Sequence, residues 1–103
     1  MYKLFAFYTE PSAEEKAAFE EYYHATHVPL CHKIPGLVSI EANKFTGALG
    51  GGPAPYYMIT ILTFNSKEEY EAGMATPEGK AVGRDTRNFP KGILSMAFAE
   101  TVD

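Results

Sequence analysis

Two hydrophobic periods alternate along the chain, and the switches between them outline six elements. The run Tyr2-Lys3-Leu4-Phe5-Ala6-Phe7-Tyr8-Thr9 has the length and aromatic-aliphatic character of a strand. Pro11-Ser12 then opens a helix, with Ser12 and Glu15 at capping-box spacing. On a 3.6-residue period Phe19, Tyr22, Tyr23, Thr26 and His27 share one stripe, and Glu20, Glu21 and His24 fall opposite. Pro29 disfavours helical geometry at Val28, so this helix is expected to end near Thr26 or His27, with Leu30 to Lys33 as a further turn before Pro35-Gly36. Leu37 to Phe45 reads as a second strand and Tyr56 to Phe64 as a third, joined by a long glycine- and proline-rich hairpin connection. Ser66 and Glu69 repeat the capping spacing and start a second helix carrying Tyr70 and Met74. Thr76-Pro77 restarts it, with threonine as cap and proline at the first helical position, through about Phe89. After Pro90-Lys91-Gly92, Ile93 to Thr101 is the fourth strand.

This strand-helix-strand-strand-helix-strand order predicts an α+β fold, the ferredoxin-like split βαβ arrangement, as one domain over residues 1–103 with a four-stranded antiparallel sheet and both helices on one face. The strands are nevertheless apolar on both parities. Leu4, Ala6 and Tyr8 alternate with Phe5 and Phe7, and Tyr57, Ile59 and Ile61 alternate with Tyr56, Met58, Leu62 and Phe64. A sheet hydrophobic on both sides with a single helical layer must bury its second face, and a homodimer with sheets face to face is the simplest solution.

Composition narrows the partners. Seven Tyr and seven Phe without any Trp point to large flat groups being packed or bound. A net charge of -4 with no Lys/Arg cluster removes the electrostatic basis for binding nucleic acid or an anionic membrane, leaving a small uncharged or modestly polar ligand. The lone Cys31 has no partner for an internal disulfide, and the first apolar run reaches Glu10 and Pro11 too soon for a signal-peptide core, so a cytoplasmic location is expected. No apolar run approaches the length that crosses a bilayer.

Candidate chemistry gathers in Tyr22-Tyr23-His24-Ala25-Thr26-His27-Val28-Pro29-Leu30. An imidazole can take and return a proton near neutrality, as isomerisation, elimination or decarboxylation beside a carbonyl requires. His27, at the edge of the buried stripe, is the natural candidate; its structural alternative is a histidine that satisfies a helix-end carbonyl and packs on Tyr23. Tyr22 and Tyr23 have hydroxyls suited to a developing enolate or phenolate, although aromatics at helical spacing more often form core. Asp85, in Arg84-Asp85-Thr86-Arg87, is a candidate to orient an imidazole or to act as a second acid/base; charged helical residues mostly face water, which favours a solvated Asp85 taken alone. His24, His27 and His32 make a poor metal set: the first two diverge on the helical wheel, Pro29 precedes the third, and no H-E-x-x-H motif completes it. Cys31, near Leu30 and Ile34, reads as a small buried hydrophobe rather than a nucleophile. Gly50 to Gly52 lack the P-loop pattern and open no helix, so they read as a hairpin loop.

The order and spacing of three blocks resemble the EthD family, part of the dimeric α+β barrel group. They are Phe19-x-x-Tyr22-Tyr23-x-x-x-His27-x-Pro29-Leu30, then Pro35-Gly36-Leu37, then Pro77-Glu78-Gly79 followed by Asp85 and Phe89. The resemblance implies a ferredoxin-like protomer, a homodimer, and a cavity between sheet and helices used for small organic molecules, commonly without metal or organic cofactor. It also implies that the histidine before Val-Pro-Leu, here His27, is the functional one. The expectation is a cofactor-independent enzyme of acid/base chemistry on a small hydrophobic carbonyl, lactone or aromatic compound, with His27, Tyr23 and Asp85 catalytic and Tyr22, Phe5, Phe7 and Tyr57 contacting the ligand. The rivals are a carrier that holds such a compound without turnover and a haem-binding or oxygenase relative. His24, His32 and the glycine-rich loop set this chain apart from the family pattern.

Overall fold

The first apolar run is paired on both sides. In the computed structural model, which describes all of residues 1–103, β1 (Tyr2–Tyr8) lies antiparallel to β3 (Met58–Phe64) and to β4 (Leu94–Glu100), and β3 lies antiparallel to β2 (Leu37–Lys44). The resulting order, β2-β3-β1-β4, is that of a ferredoxin-like α+β fold. The apolar runs fall on the two central strands, β1 and β3, whereas β2 and β4, at the edges, are largely exposed.

The helices form where the caps predict. Ser12 Oγ accepts from the Glu15 N–H at 3.3 Å to begin α1 (Ala13–Tyr22), and Ser66 Oγ accepts from the Glu69 N–H at 3.1 Å to begin α3 (Lys67–Met74). Thr76 Oγ1 accepts from the Gly79 N–H at 3.1 Å to begin α4 (Pro77–Asp85). The helix beyond Thr76 was expected to reach Phe89, but it tightens into a 3₁₀ turn over Thr86–Asn88. Pro90 explains the difference by pushing Phe89 into extended geometry, φ −81° and ψ 158°. No helix is long and apolar enough to cross a membrane.

Leu4, Ala6 and Tyr8 point to the helices with Met58, Thr60, Leu62 and Phe64, all buried. Around them lie two adjoining clusters: one of Tyr8, Phe19, Tyr23, Tyr57, Phe89 and neighbours, the other of Leu4, Cys31, Ile34, Leu62, Phe64 and Val82. Each large side chain so buried stabilises the fold by about 1.5–3 kcal/mol. The opposite parity, Phe5, Phe7, Ile59 and Ile61, is only half-buried and has no layer over it within the protomer.

The α3–α4 corner depends on bare backbone. A Cβ at Gly73 would stand 2.2 Å from the Pro35 carbonyl oxygen, and one at Gly79 would stand 2.4 Å from the Gly73 carbonyl oxygen and 2.5 Å from Met74 Cα. These two glycines let α4 turn back tightly enough to bring its C-terminal end toward α1.

Candidate active site

The helix that follows β1 does not stop before Pro29. It widens into a π turn over Tyr23–His27 and resumes as α2 (Val28–Cys31), with Val28 fully helical at φ −59° and ψ −45°. The expected break at Val28 is thus replaced by a change of hydrogen-bond ladder. Pro29 has no N–H, and in an α-helix its ring would press on the Ala25 carbonyl; the wider turn, in which the Val28 N–H bonds the Tyr23 carbonyl five residues back, relieves both problems. Tyr23 and His27 both face inward across this turn, while His24 remains exposed.

His27 meets Asp85, the last residue of α4, with 2.8 Å between Nδ1 and Oδ2. Both are buried, at 5% and 8% exposure. The Tyr22 hydroxyl donates to Asp85 Oδ1, and Asn88 Nδ2 donates both to that oxygen at 3.2 Å and to the Tyr22 hydroxyl at 3.0 Å. Burial works to raise the Asp85 pKa; hydrogen bonds from Tyr22, His27 and Asn88, with the charge of His27, together hold it below its ordinary 3.8. Asp85 is therefore ionised at neutral pH and can only accept, so Nδ1 carries the proton and a neutral His27 has its lone pair on Nε2. The burial of Asp85 also corrects the expectation of a solvated helix charge: three side chains, Tyr22 from α1, His27 from the π turn and Asn88 from the 3₁₀ turn, converge on it where open solvent was expected.

A carboxyl whose pKa is depressed on folding contributes its full stability above the unfolded-state value, and that contribution is lost as pH falls through the folded-state value. The stability lost in Asp85→Asn should therefore be present in full above the carboxylate range and shrink as pH drops below 3.8. Urea midpoints of both proteins across that range check the sign.

His27 lies on the wall of a cavity of about 280 Å³ between helices and sheet. Most of its lining is apolar, including Leu62, Met74, Val82 and Met96; Tyr8, Thr60, Tyr70 and Thr86 are its hydroxyl-bearing residues. The cavity opens toward β4, where Met96 and Phe98 are more than half exposed. Cys31 also lines it, but burial first, then the negative charge of Asp85, pushes the thiol up to about 12, far from thiolate reactivity at neutral pH. The Phe89 ring stands edge-on to the imidazole at 4.7 Å between centroids. No three His, Cys, Asp or Glu side chains converge in a way that suits a metal ion.

The other sequence candidates are divided among different places. Tyr23 is buried beside the imidazole and shares a hydrogen bond with Thr60. Burial pushes its hydroxyl up to about 12. Tyr22 braces Asp85 from outside the cavity. Tyr57 packs in the core with its hydroxyl sealed and unpaired, and Phe5 and Phe7 lie on the far side of the sheet. The expectation that Tyr22, Tyr57, Phe5 and Phe7 share a ligand cavity with His27 therefore does not match their placement: none of the four lines it. Sequence reasoning missed Tyr8, Thr60 and Asn88. Tyr8 and Thr60 had a signal, since each shares the parity of the buried side chains on its strand; Asn88 had none.

A model of the EthD domain matches residues 12–91. The chain belongs to the EthD family. An EthD-family protein from Bacillus halodurans superposes with a TM-score of 0.88 at 33% identity, over 99% of each chain. An uncharacterized 11.0 kDa protein in the thcB-thcC intergenic region of Rhodococcus erythropolis is 36% identical over 97% of this EthD chain and 94% of its own length. SnoaB from Streptomyces nogalater, a cofactor-independent oxygenase, shares the fold of the EthD chain at 13% identity, with a TM-score of 0.68 over 99% of this chain and 93% of that one.

Proposed function

We propose that this EthD protein is a homodimeric, cofactor-independent acid/base catalyst for a small hydrophobic carbonyl, lactone or aromatic compound. The observation that carries the reading is the buried His27–Asp85 pair at 2.8 Å on the wall of an apolar cavity. An ionised carboxylate fixing Nδ1–H leaves Nε2 as the proton acceptor, and the imidazolium that forms is stabilised by the same carboxylate. In isomerisation, elimination or decarboxylation this group would take or return the proton that moves. SnoaB is a cofactor-independent oxygenase, and the likeness to it extends only to the fold.

The test is a panel of lactones and aryl ketones, ranked by thermal shift and then followed by proton NMR in D₂O for exchange of the α-hydrogens. Exchange with the wild type that is absent with His27→Gln supports catalysis. Binding without exchange or turnover across the panel favours the carrier reading, which the same apolar walls would also serve.

Dimerisation rests on the uncovered Phe5, Phe7, Ile59 and Ile61. Sedimentation at micromolar concentration should return twice the chain mass, and Ile61→Asp should shift it to the monomer. A wild-type monomer in that experiment would reject the face-to-face arrangement.

A further inference from the structure

Two tyrosine hydroxyls beside His27 have protein partners: Tyr22 bonds Asp85 and Asn88, and Tyr23 bonds Thr60; of the two tyrosines that line the cavity, Tyr70 is only half-buried. Tyr8 differs. It is 2% exposed and lines the cavity, yet what sets its titration is burial, then the proximity of Tyr23 and Cys31, with no side-chain hydrogen bond among the causes. The only unpaired polar side-chain atom sealed away entirely is the Tyr57 hydroxyl. The equally unpaired Tyr8 hydroxyl is therefore in reach of the cavity, a donor and acceptor with no protein group to satisfy it. Leaving such a group dry costs free energy that a ligand oxygen would recover. Burial raises its pKa far above neutrality, so it stays a neutral phenol and a donor.

We propose that Tyr8 is the oxygen-recognition group of this cavity, donating its hydrogen bond to the carbonyl oxygen of a small neutral ligand whose C–H bond faces His27 Nε2. The proposal rests on the acid/base reading of His27 and names its substrate class. In the step it serves, the C–H bond breaks, the proton passes to Nε2, and the electron pair moves onto the carbonyl oxygen, where the Tyr8 O–H holds the enolate. Return of the proton at another carbon completes an isomerisation without oxidant or reductant.

Charge and size narrow the ligand further. No Lys or Arg lines the cavity, and the carboxylate of Asp85 lies directly behind the imidazole, so a ligand carboxylate would be buried without a counter-ion. Apolar cavities of about 150 Å³ accept benzene. At about 280 Å³ this one suits a single ring with a short substituent.

The experiment uses three probes of one framework, followed by fluorine NMR titration: 4-fluoroacetophenone, 4-fluoroethylbenzene, which lacks the oxygen, and 4-fluorobenzoate, which is charged. Wild type should bind the ketone and reject the benzoate. Tyr8→Phe keeps the ring and removes only the hydroxyl; it should weaken the ketone by about 3- to 10-fold, the worth of one hydrogen bond. It should leave the hydrocarbon within twofold and the melting temperature unlowered. Equal weakening of ketone and hydrocarbon, or a lower melting temperature, would assign Tyr8 to packing and overturn the proposal. So would benzoate binding as tightly as ketone, or no ketone binding to wild type at millimolar concentration. Exchange of the acetophenone methyl hydrogens in D₂O reads His27 separately: Tyr8-dependent binding without exchange would reject the catalytic reading while keeping Tyr8 as the recognition group.

Discussion

His27→Gln is expected to lower turnover by a factor of roughly 100 to 10,000, the usual range for losing a general acid/base, while the protein stays folded. The reason lies in the division of labour between the two ring nitrogens. Nδ1 is committed to Asp85 at 2.8 Å, which leaves Nε2 as the ring nitrogen free to exchange a proton. A glutamine can still donate to the carboxylate but cannot exchange a proton at neutral pH. His27→Ala would also remove the partner of a buried carboxylate and so confounds catalysis with folding; glutamine avoids that. His24→Ala provides the control, being exposed on the other side of the same turn, and should be close to neutral. The measurement is kcat on whichever panel member turns over, beside the melting temperature of each variant. Wild-type kcat in His27→Gln would leave this histidine a structural residue.

Gly79→Ala is expected to destabilise by roughly 3 kcal/mol, the upper part of the range for forced overpacking, lowering the melting temperature by about 12–24 °C for a chain of this size. Its methyl would meet backbone atoms of Gly73 and Met74 at 2.4–2.5 Å, and backbone cannot rotate aside as a side chain would. The neighbouring Gly83 makes the opposite prediction. A Cβ there meets nothing within 4 Å, and alanine is favoured over glycine inside a helix, so Gly83→Ala should gain about 0.5–1 kcal/mol. Two identical changes four residues apart on α4 therefore carry opposite signs. Thermal denaturation of both variants decides, and similar melting temperatures would contradict the close approach of α3 and α4.

What could be read from the sequence was whatever a few adjacent residues decide. Ser12, Ser66 and Thr76 announced their helices because an N-cap is satisfied within three residues. The fold class followed from the strand-helix-strand-strand-helix-strand succession of elements, and the uncovered sheet face from Phe5 and Phe7 being as apolar as Leu4 and Ala6. Asp85 was harder: its partners His27 and Tyr22 lie 58 and 63 residues away, and nothing in Arg84-Asp85-Thr86-Arg87 distinguishes a carboxylate that is buried from one that is solvated. Tyr8 was overlooked for a different reason. Its value depends on a hydroxyl having no partner, which no local pattern encodes. The π turn was misread as a break because Pro29 rules out a regular α-helix, and only the packing of Tyr23 and His27 shows that the chain chose a wider helix instead.

A π turn is what one surplus residue does to an α-helix: it is absorbed as a local swelling, and the helix on either side keeps its phase. Phe19 and Tyr22 before the swelling, and Leu30 and Cys31 after it, meet the same core that an uninterrupted helix would offer them. The imidazole has no such tolerance, since its meeting with Asp85 is set inside the swelling itself. Loss of the single codon for the exposed His24 or Ala25 would thus spare the buried aromatic residues on either side yet would separate the dyad, so that two homologues with the same aromatic residues and the same topology can differ in whether they hold a proton acceptor at all.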